Sequence, residues 1–266
     1  MAASSAKTFA EERRAAILDM LEHTASLQVA DIARTFGVSS VTARGDLDAL
    51  AADGKLRRTH GGAVSLQKRL TISVQDKRVN VNVEAKQAIA RSAINLVEDG
   101  MTLFVDSGTT ALEFVRMLTA KTGITVITAD ITIADFIDEA LPNVNVILLG
   151  GSLRKSHRYL YGPLTLRSIE QLHADLAIVC PGAFIPSRGF MTDYPQMAEL
   201  KTAIMAASTS TVVLLDASKV SAHGTHLFAK LNSVDRIITN DDPHGRLTES
   251  LDALPEDAKR PELVLA

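Results

Sequence analysis

One stretch of the sequence decides the fold of the N-terminal region: Val29-Ala-Asp-Ile-Ala-Arg-Thr-Phe36-Gly37-Val-Ser39-Ser40-Val-Thr-Ala-Arg44-Gly-Asp-Leu47. Its first apolar residues recur at helical spacing, which predicts a helix from about Val29 to Phe36. Gly37 supplies a turn residue, and Ser39 or Ser40 can cap a third helix, whose predicted buried side chains are Val41, Leu47 and Leu50. Two helices joined by a tight turn that contains glycine are typical of a helix-turn-helix.

The residues on either side extend this motif into a small domain. Before it, Ile17, Leu18 and Leu21, with the flanking Ala15, form an apolar stripe that predicts a first helix. After it, Gly54 can end the third helix in the left-handed conformation. The run 55–60 then predicts a short strand, and Gly61-Gly62 a sharp reversal. We therefore predict three helices and a wing within residues 1–64.

Charge favours DNA as the partner of this domain. The formal net charge of the chain is −3, yet residues 54–70 hold five cations and no acid. A basic stripe on a mildly acidic protein favours a dedicated DNA contact, although a solvated linker has a similar composition. The second helix of such a motif enters the major groove, and wing cations hold the backbone. The predicted DNA contacts are Ser39, Ser40, Thr42, Ala43, Arg44, Arg57, Arg58 and His60. Ser39 and Ser40 can alternatively serve as helix caps, and His60 can simply fill the turn.

The rest of the chain predicts a linker, residues 65–82, and a larger α/β domain, residues 83–266. Short apolar strands alternate with helical patterns there, and apolar residues make up 46% of the whole chain. Such strands, with helices between them, predict a mainly parallel sheet that is covered on both faces. The predicted strands are 101–105, 124–128, 144–149, 177–180, 211–215 and 236–239, and the predicted helices are 84–98, 111–118, 131–139 and 196–207.

One loop of this domain predicts an anion site. Asp106-Ser107-Gly108-Thr109-Thr110 follows a predicted strand and leads directly into a helix. Backbone N–H groups and the helix dipole favour phosphate at such a position, and ligands of open α/β sheets bind at strand carboxyl ends. The alternative is an ordinary capped turn. Further candidates lie at equivalent strand ends, namely Asp130, Gly150, Gly151, Gly182 and Lys219.

Other function classes find little support. The single cysteine, Cys180, lies in an apolar run and is expected to be a packing thiol. His223 and His226 lack a nearby carboxylate or cysteine, so we expect no metal site and no cofactor. We also find no signal peptide and no apolar run of about 18 residues, so a cytoplasmic protein is expected.

Both halves resemble the DeoR-type bacterial transcriptional regulators. The resemblance is carried by Arg13-Arg14-Ala-Ala-Ile17-Leu18, by the stretch quoted first, and by Gly54-Lys-Leu-Arg-Arg-Thr-His60-Gly-Gly-Ala63. It continues through Asp106–Thr110, Gly150-Gly151, Gly162, Gly189–Asp193, Glu199-Leu-Lys201 and Asp216–Lys219. Ala43, Gly45 and the run Thr128-Ala129-Asp130 depart from the family pattern.

The resemblance implies a winged helix-turn-helix joined to a domain similar to ribose-5-phosphate isomerase, with a phosphorylated sugar or sugar acid as inducer. It adds Asp193, Glu199 and Lys201 to the candidate effector contacts, although structural ion pairing explains these three equally well. Independently of the resemblance, a repeated or palindromic operator needs two recognition helices, so we expect a homo-oligomer, a dimer or a tetramer.

An isomerase-like enzyme is the main alternative function. Aldose–ketose isomerisation needs a carboxylate base, but Ala183 and Phe184 stand where the resembling isomerases keep acids. We therefore predict a regulator without catalytic residues. Repression relieved by ligand is the working hypothesis, and an activator of the same architecture stays open.

Overall fold

The computed structural model describes residues 2–23, 26–59, 61–65 and 78–266. Two compact units divide the chain, residues 1–72 and 73–266. The proposed DNA contact of His60 and most of the predicted linker lie outside the described residues. No helix of the described ranges is both long and apolar enough to cross a membrane.

The first unit contains the predicted helix-turn-helix and wing. Its elements are α1 (Ala2–His23), β1 (Ser26–Gln28), α2 (Val29–Phe36), α3 (Ser40–Ala52), β2 (Leu56–Thr59) and β3 (Gly62–Ser65). The strands form an antiparallel sheet in the order β1-β3-β2, with β2 and β3 as the predicted wing. The strand β1 was not predicted.

Local geometry explains the turns of this unit. Gly37 ends α2 in the left-handed conformation, with φ of 63°, and Ser39 caps α3 by accepting a hydrogen bond from the backbone N–H of Thr42 at 3.1 Å. The prediction that Val41 is buried is wrong, because its side chain is 76% exposed. The buried face of α3 is Ala43, Asp46, Leu47 and Leu50, at helical spacing, and Val41 lies two residues out of phase with it.

The second unit is built on a seven-stranded sheet with the strand order β15-β14-β12-β9-β4-β5-β6. All of its neighbouring pairs are parallel, as predicted. Its strands are β4 (Thr102–Val105), β5 (Thr125–Thr128), β6 (Asn145–Leu148), β9 (Ala174–Val179), β12 (Ser208–Leu215), β14 (Arg236–Thr239) and β15 (Glu262–Leu265).

Helices cover both faces of this sheet. They are α4 (Val83–Ala93), α5 (Thr109–Arg116), α6 (Ile131–Ala140), α7 (Pro163–Ile169), α8 (Pro195–Ala206) and α9 (Arg246–Asp252). Along β4, Leu103 and Val105 belong to one buried apolar cluster and Phe104 to the other, as the alternation of a strand requires. The helix predicted to run to residue 98 ends at Ala93, because the chain passes through a 3₁₀ turn and Val97 then enters the core in extended conformation.

Two smaller sheets extend from the main one and were not predicted. A hairpin joins β7 (Ser152–Arg154) to β8 (Tyr159–Tyr161), and a second antiparallel sheet contains β10 (Ala183–Ile185), β11 (Gly189–Thr192) and β13 (His226–Ala229). Both follow carboxyl ends of the parallel strands in the chain. The hairpin is fixed to the loop before α6, because Ile131 N–H donates to the carbonyl of Arg158 at 2.9 Å and Leu160 N–H to that of Ala129 at 2.8 Å.

Candidate effector cavity and nucleic-acid interface

The exposed face of α3 holds most of the predicted base contacts. Ser40, Thr42 and Arg44 are exposed. Ser39 is also exposed, but its hydroxyl already has two partners. It caps the helix and lies 2.9 Å from the hydroxyl of Thr42. Ala43 is fully buried in the core of the unit, so its side chain is turned away from this face.

The two wing arginines differ in their surroundings. Arg57 is exposed, and the described residues give it no ion pair within 4.0 Å. Arg58 donates to Asp48 Oδ1 at 2.7 Å and to the carbonyl of Gly62 at 2.6 Å. Arg58 therefore ties the wing to α3, whereas Arg57 and Arg44 keep their charges available to a partner.

A buried carboxylate joins α1 to α3. The side chain of Asp46 is 3% exposed and accepts from Arg13 Nε at 2.6 Å and from Arg14 Nε at 3.0 Å. An unpaired buried carboxylate is costly, so removal of both arginines would destabilise the contact between α1 and α3. No local sequence pattern predicts this contact, because the partners lie more than thirty residues apart.

A cavity of about 460 Å³ lies at the carboxyl ends of β4, β9 and β12 in the second unit. The loops after these strands line it, together with residues of α4, α8 and the β7–β8 hairpin. Its polar and charged lining residues are Arg78, Asn82, Lys86, Ser107, Thr109, Thr110, Arg154, His157, Tyr159, Cys180, Thr192, Asp193, Lys201, Asp216, Ser218, Lys219 and His223.

The start of α5 forms one wall of the cavity. Gly108 precedes the helix with φ of 139°, a conformation that favours glycine, and its N–H donates to Asp130 Oδ2 at 3.3 Å. Asp130 is fully buried and also caps α6, accepting from Thr132 N–H at 2.8 Å. The first N–H groups of any helix lack intrahelical acceptors. With Ser107, Thr109 and Thr110 beside them, they can bind an oxyanion in the cavity.

A buried ion pair connects the loops after β4 and β9 to α8. Lys201 on α8 contacts Asp106 Oδ2, and both side chains are at most 3% exposed. Lys201 also donates to the carbonyl of Cys180 at 2.7 Å, and the N–H of Cys180 donates to Asp106 Oδ2 at 2.9 Å. These bonds connect β4, β9 and α8. Burial raises the pKa of the Cys180 thiol to about 12, so the thiol stays protonated at neutral pH.

Several positively charged side chains line the cavity. Lys86 is buried on α4 and donates to the carbonyl of Arg78 at 2.5 Å. Desolvation lowers the pKa of Lys86, while nearby Asp216 acts in the opposite direction. Asp216 is itself held by Asn82 Nδ2 at 2.9 Å and by the N–H of Ser218 at 2.9 Å. Among the described residues, Arg78, Arg154 and Lys219 have no carboxylate within 4.0 Å.

The cavity brings together part of the predicted effector set. Eight of the predicted residues line it: Ser107, Gly108, Thr109, Thr110, Gly182, Asp193, Lys201 and Lys219. Asp106 and Asp130 lie behind the wall as supports. Gly150 and Gly151 lie outside the lining, and Gly151 has a packing role, because a Cβ there would collide with Thr165 Oγ1. Glu199 is exposed on α8 and does not line the cavity.

Several lining residues were not predicted from the sequence, chiefly Arg78, Asn82, Lys86, Arg154 and His157. One signal was available for Lys86. It lies on the face of α4 that also carries the buried Ile89, Ala90 and Ala93, and a lysine on an apolar face indicates a special environment. The described residues contain no group of three or more side chains arranged to hold a metal ion.

Comparisons with known proteins agree with this architecture. The model of the DeoR-like helix-turn-helix domain matches residues 13–69, and that of the DeoR C terminal sensor domain matches residues 81–241. HTH-type transcriptional regulator GolR of Listeria innocua is 32% identical over 87% of this chain and 91% of its own length.

Two further relatives are named repressors. A putative aga operon transcriptional repressor of Escherichia coli O157:H7 is 30% identical over 93% of this chain and 91% of its own length. HTH-type transcriptional repressor GlcR of Bacillus subtilis is 30% identical over 92% of this chain and 93% of its own length.

Among solved structures, ribose 5-phosphate isomerase A of Methanocaldococcus jannaschii is similar at 17% identity and a TM-score of 0.39. That match covers 52% of this chain and 55% of the isomerase, little more than half of its length. The curated relatives above are transcriptional regulators by name, as predicted for this chain, and they match it over nearly their whole length. On the two family models and the curated relatives, the chain belongs to the DeoR family of DNA-binding transcriptional regulators.

Proposed function

We propose that this regulator is a repressor of a carbohydrate or sugar-acid catabolic operon, and that a phosphorylated sugar or sugar acid releases it from its operator. The names of two relatives, which are repressors, support the direction of regulation. The observation that carries the inducer class is the cavity, which is lined by the start of α5 and by three cations that have no carboxylate of the described residues within 4.0 Å.

The operator contact is assigned to the exposed face of α3 and to the wing. Ser40, Thr42 and Arg44 lie on that face, and Arg57 carries an exposed charge on β2. Guanidinium groups suit bidentate contacts with guanine or phosphate. Two copies of the chain bind together, because a repeated or palindromic operator needs two recognition helices.

Release follows from unequal binding of the inducer to two states of the protein. A ligand that binds both states equally does not change their populations. Arg78, Asn82 and Lys86 line the cavity and lie near the start of the second unit, which begins at residue 73. An inducer that contacts these residues therefore acts close in sequence to the DNA-binding unit.

Two substitutions in the cavity test this function. Thr109→Val removes a hydroxyl at nearly constant volume, and Lys219→Gln removes a charge. We expect both variants to bind the upstream DNA of the regulated genes like the parent protein in gel-shift titrations, and to need at least tenfold more phosphorylated sugar for release, because each loses a charge-assisted or hydroxyl contact to phosphate.

Glu199→Gln is the matched control, since Glu199 is exposed on α8 and lies outside the cavity lining. If both cavity variants are released from DNA at the same ligand concentration as the parent protein, the cavity does not mediate the response to ligand. A transcript assay separates repressor from activator: deletion of the regulator should raise transcription of the target genes, and a fall would assign activation instead.

A further inference from the structure

The β7–β8 hairpin brings a second set of polar groups to the cavity. Arg154, His157 and Tyr159 all line it from this hairpin, whereas the phosphate-binding wall comes from α5. Ser156 and Arg158, on either side of His157, adopt φ of 65° and 57°. Such left-handed conformations are uncommon for residues other than glycine, and here they form the turn that carries His157.

Arg154 is oriented, but the described residues give it no ionic partner. Its guanidinium lies 3.9 Å from the centroid of the Tyr194 ring, and Nη1 donates to the Tyr159 hydroxyl at 2.5 Å. No carboxylate of the described residues lies within 4.0 Å of it, whereas Arg13, Arg58 and Arg236 each have one. A half-buried cation that is fixed in place and unpaired is partly desolvated, so an anionic partner would lower its free energy.

The described neighbours of Arg154 do not supply that anion, and Asp106, whose charge also acts on Tyr159, is paired with Lys201. Burial and then the charge of Arg154 lower the pKa of His157, so its imidazole is neutral at pH 7 and suits hydroxyl groups. Asp216 is held by Asn82 and Ser218. Asp193 is exposed and lies 3.9 Å from His223. Since no carboxylate of the described residues pairs with this guanidinium, an anionic group of a ligand in the cavity can do so.

We infer that the effector carries a carboxylate in addition to its phosphate, and that Arg154 binds this carboxylate while the start of α5 holds the phosphate. The effector is then a phosphorylated sugar acid rather than a phosphorylated sugar or alditol. This inference rests on the proposed function. Stacking on Tyr194 and the bond to Tyr159 occupy one face and one nitrogen of the guanidinium, which leaves donors for a planar carboxylate. His157 lies beside it for the hydroxyl groups between the two acids.

The test compares matched ligands on the full-length protein by calorimetric titration. Gluconate 6-phosphate and glucitol 6-phosphate share a carbon chain and a phosphate and differ in a carboxylate at C1. Erythronate 4-phosphate and erythritol 4-phosphate form the same pair at four carbons. We expect the acid of at least one pair to bind at least tenfold more tightly than its alcohol. Arg154→Gln should reduce this preference to about twofold or less and leave the affinity for the alcohol within about threefold.

Lys155→Gln is the control, because Lys155 is the neighbouring exposed cation of the same hairpin and lies outside the cavity lining; it should keep the preference. If acid and alcohol bind equally, or if Arg154→Gln weakens both to the same degree, the carboxylate assignment is wrong while the phosphate cavity stands. A hexose bisphosphate that binds more tightly than either acid would assign the second oxyanion to phosphate and overturn the inference. If no phosphorylated compound binds, the proposed function itself fails.

Discussion

Arg44 is the residue on which operator affinity depends most directly. It lies on the exposed face of α3, and no carboxylate of the described residues lies within 4.0 Å of it. By contrast, Arg58 is engaged with Asp48 and Arg13 with Asp46. An arginine that has no internal partner can give its full charge to a phosphate or a guanine.

Arg44→Ala should therefore weaken operator binding about tenfold or more, since one guanidinium contact contributes about 1–3 kcal/mol. A gel-shift titration at fixed salt measures the change. Arg34→Ala is the control, because Arg34 is an exposed arginine of the same unit that is paired with Asp31 on α2. If both variants lose the same operator affinity, Arg44 contributes only general positive charge to DNA binding.

At the scale of single elements, two glycines of the DNA-binding unit should respond oppositely to the same substitution. Gly45 lies within α3, and an added Cβ there would meet no atom within 4 Å. Gly54 follows the helix with φ of 67° and is equally open. Gly45→Ala should stabilise α3 by about 1 kcal/mol, because glycine is a poor helix former. Gly54→Ala should destabilise it by about 1 kcal/mol, because alanine is strained at positive φ.

Hydrogen exchange of α3 in the full-length protein measures both changes, since the protection of the helix reports its local free energy of opening. The two glycines control for each other: they differ in backbone conformation and share an open environment. A stabilising Gly54→Ala, or a destabilising Gly45→Ala, would show that another interaction decides the stability of this helix.

The elements that sequence predicts best here are those with a strong local signal. The strands from β4 to β14 of the parallel sheet were found because each is a short apolar run set between helical patterns, although the edge strand β6 is largely exposed, and α2 was found to the residue because its apolar spacing is regular and Gly37 ends it. The β7–β8 hairpin was missed because it has no such pattern: Leu153 is 47% exposed, and the turn depends on left-handed Ser156 and Arg158.

The same distinction explains how much of the candidate site was predicted. Ser107, Thr109 and Thr110 lie in the loop and helix start just after a predicted strand, and Gly182 and Lys219 lie in loops after two others, so local pattern was enough to find them. Arg154 and Lys86 reach the cavity only through the docking of the hairpin and the packing of α4, which no local pattern encodes. Ala43 was expected on the DNA side, but the helical phase set by Leu47 and Leu50 places it in the core.

At the scale of the whole molecule, ligand binding in one unit must change the DNA affinity of the other unit if this chain is a repressor that ligand releases. The DNA-binding surface lies in residues 1–72, and the cavity lies in residues 73–266. Coupling between two such sites is reciprocal. If the inducer lowers operator affinity by some factor, the operator must lower inducer affinity by the same factor. Couplings of this kind are typically about 1–3 kcal/mol, or roughly 5- to 150-fold.

Saturating operator DNA should therefore raise the dissociation constant of the inducer by that same factor, measured by calorimetry with and without the duplex. A scrambled duplex of equal length and salt concentration controls for general electrostatic effects. The Arg44→Ala protein should bind inducer normally in the absence of DNA, because Arg44 and the cavity lie in different units. If inducer binds equally well with and without operator, its binding does not distinguish the two states, and the cavity cannot be what releases this protein from DNA.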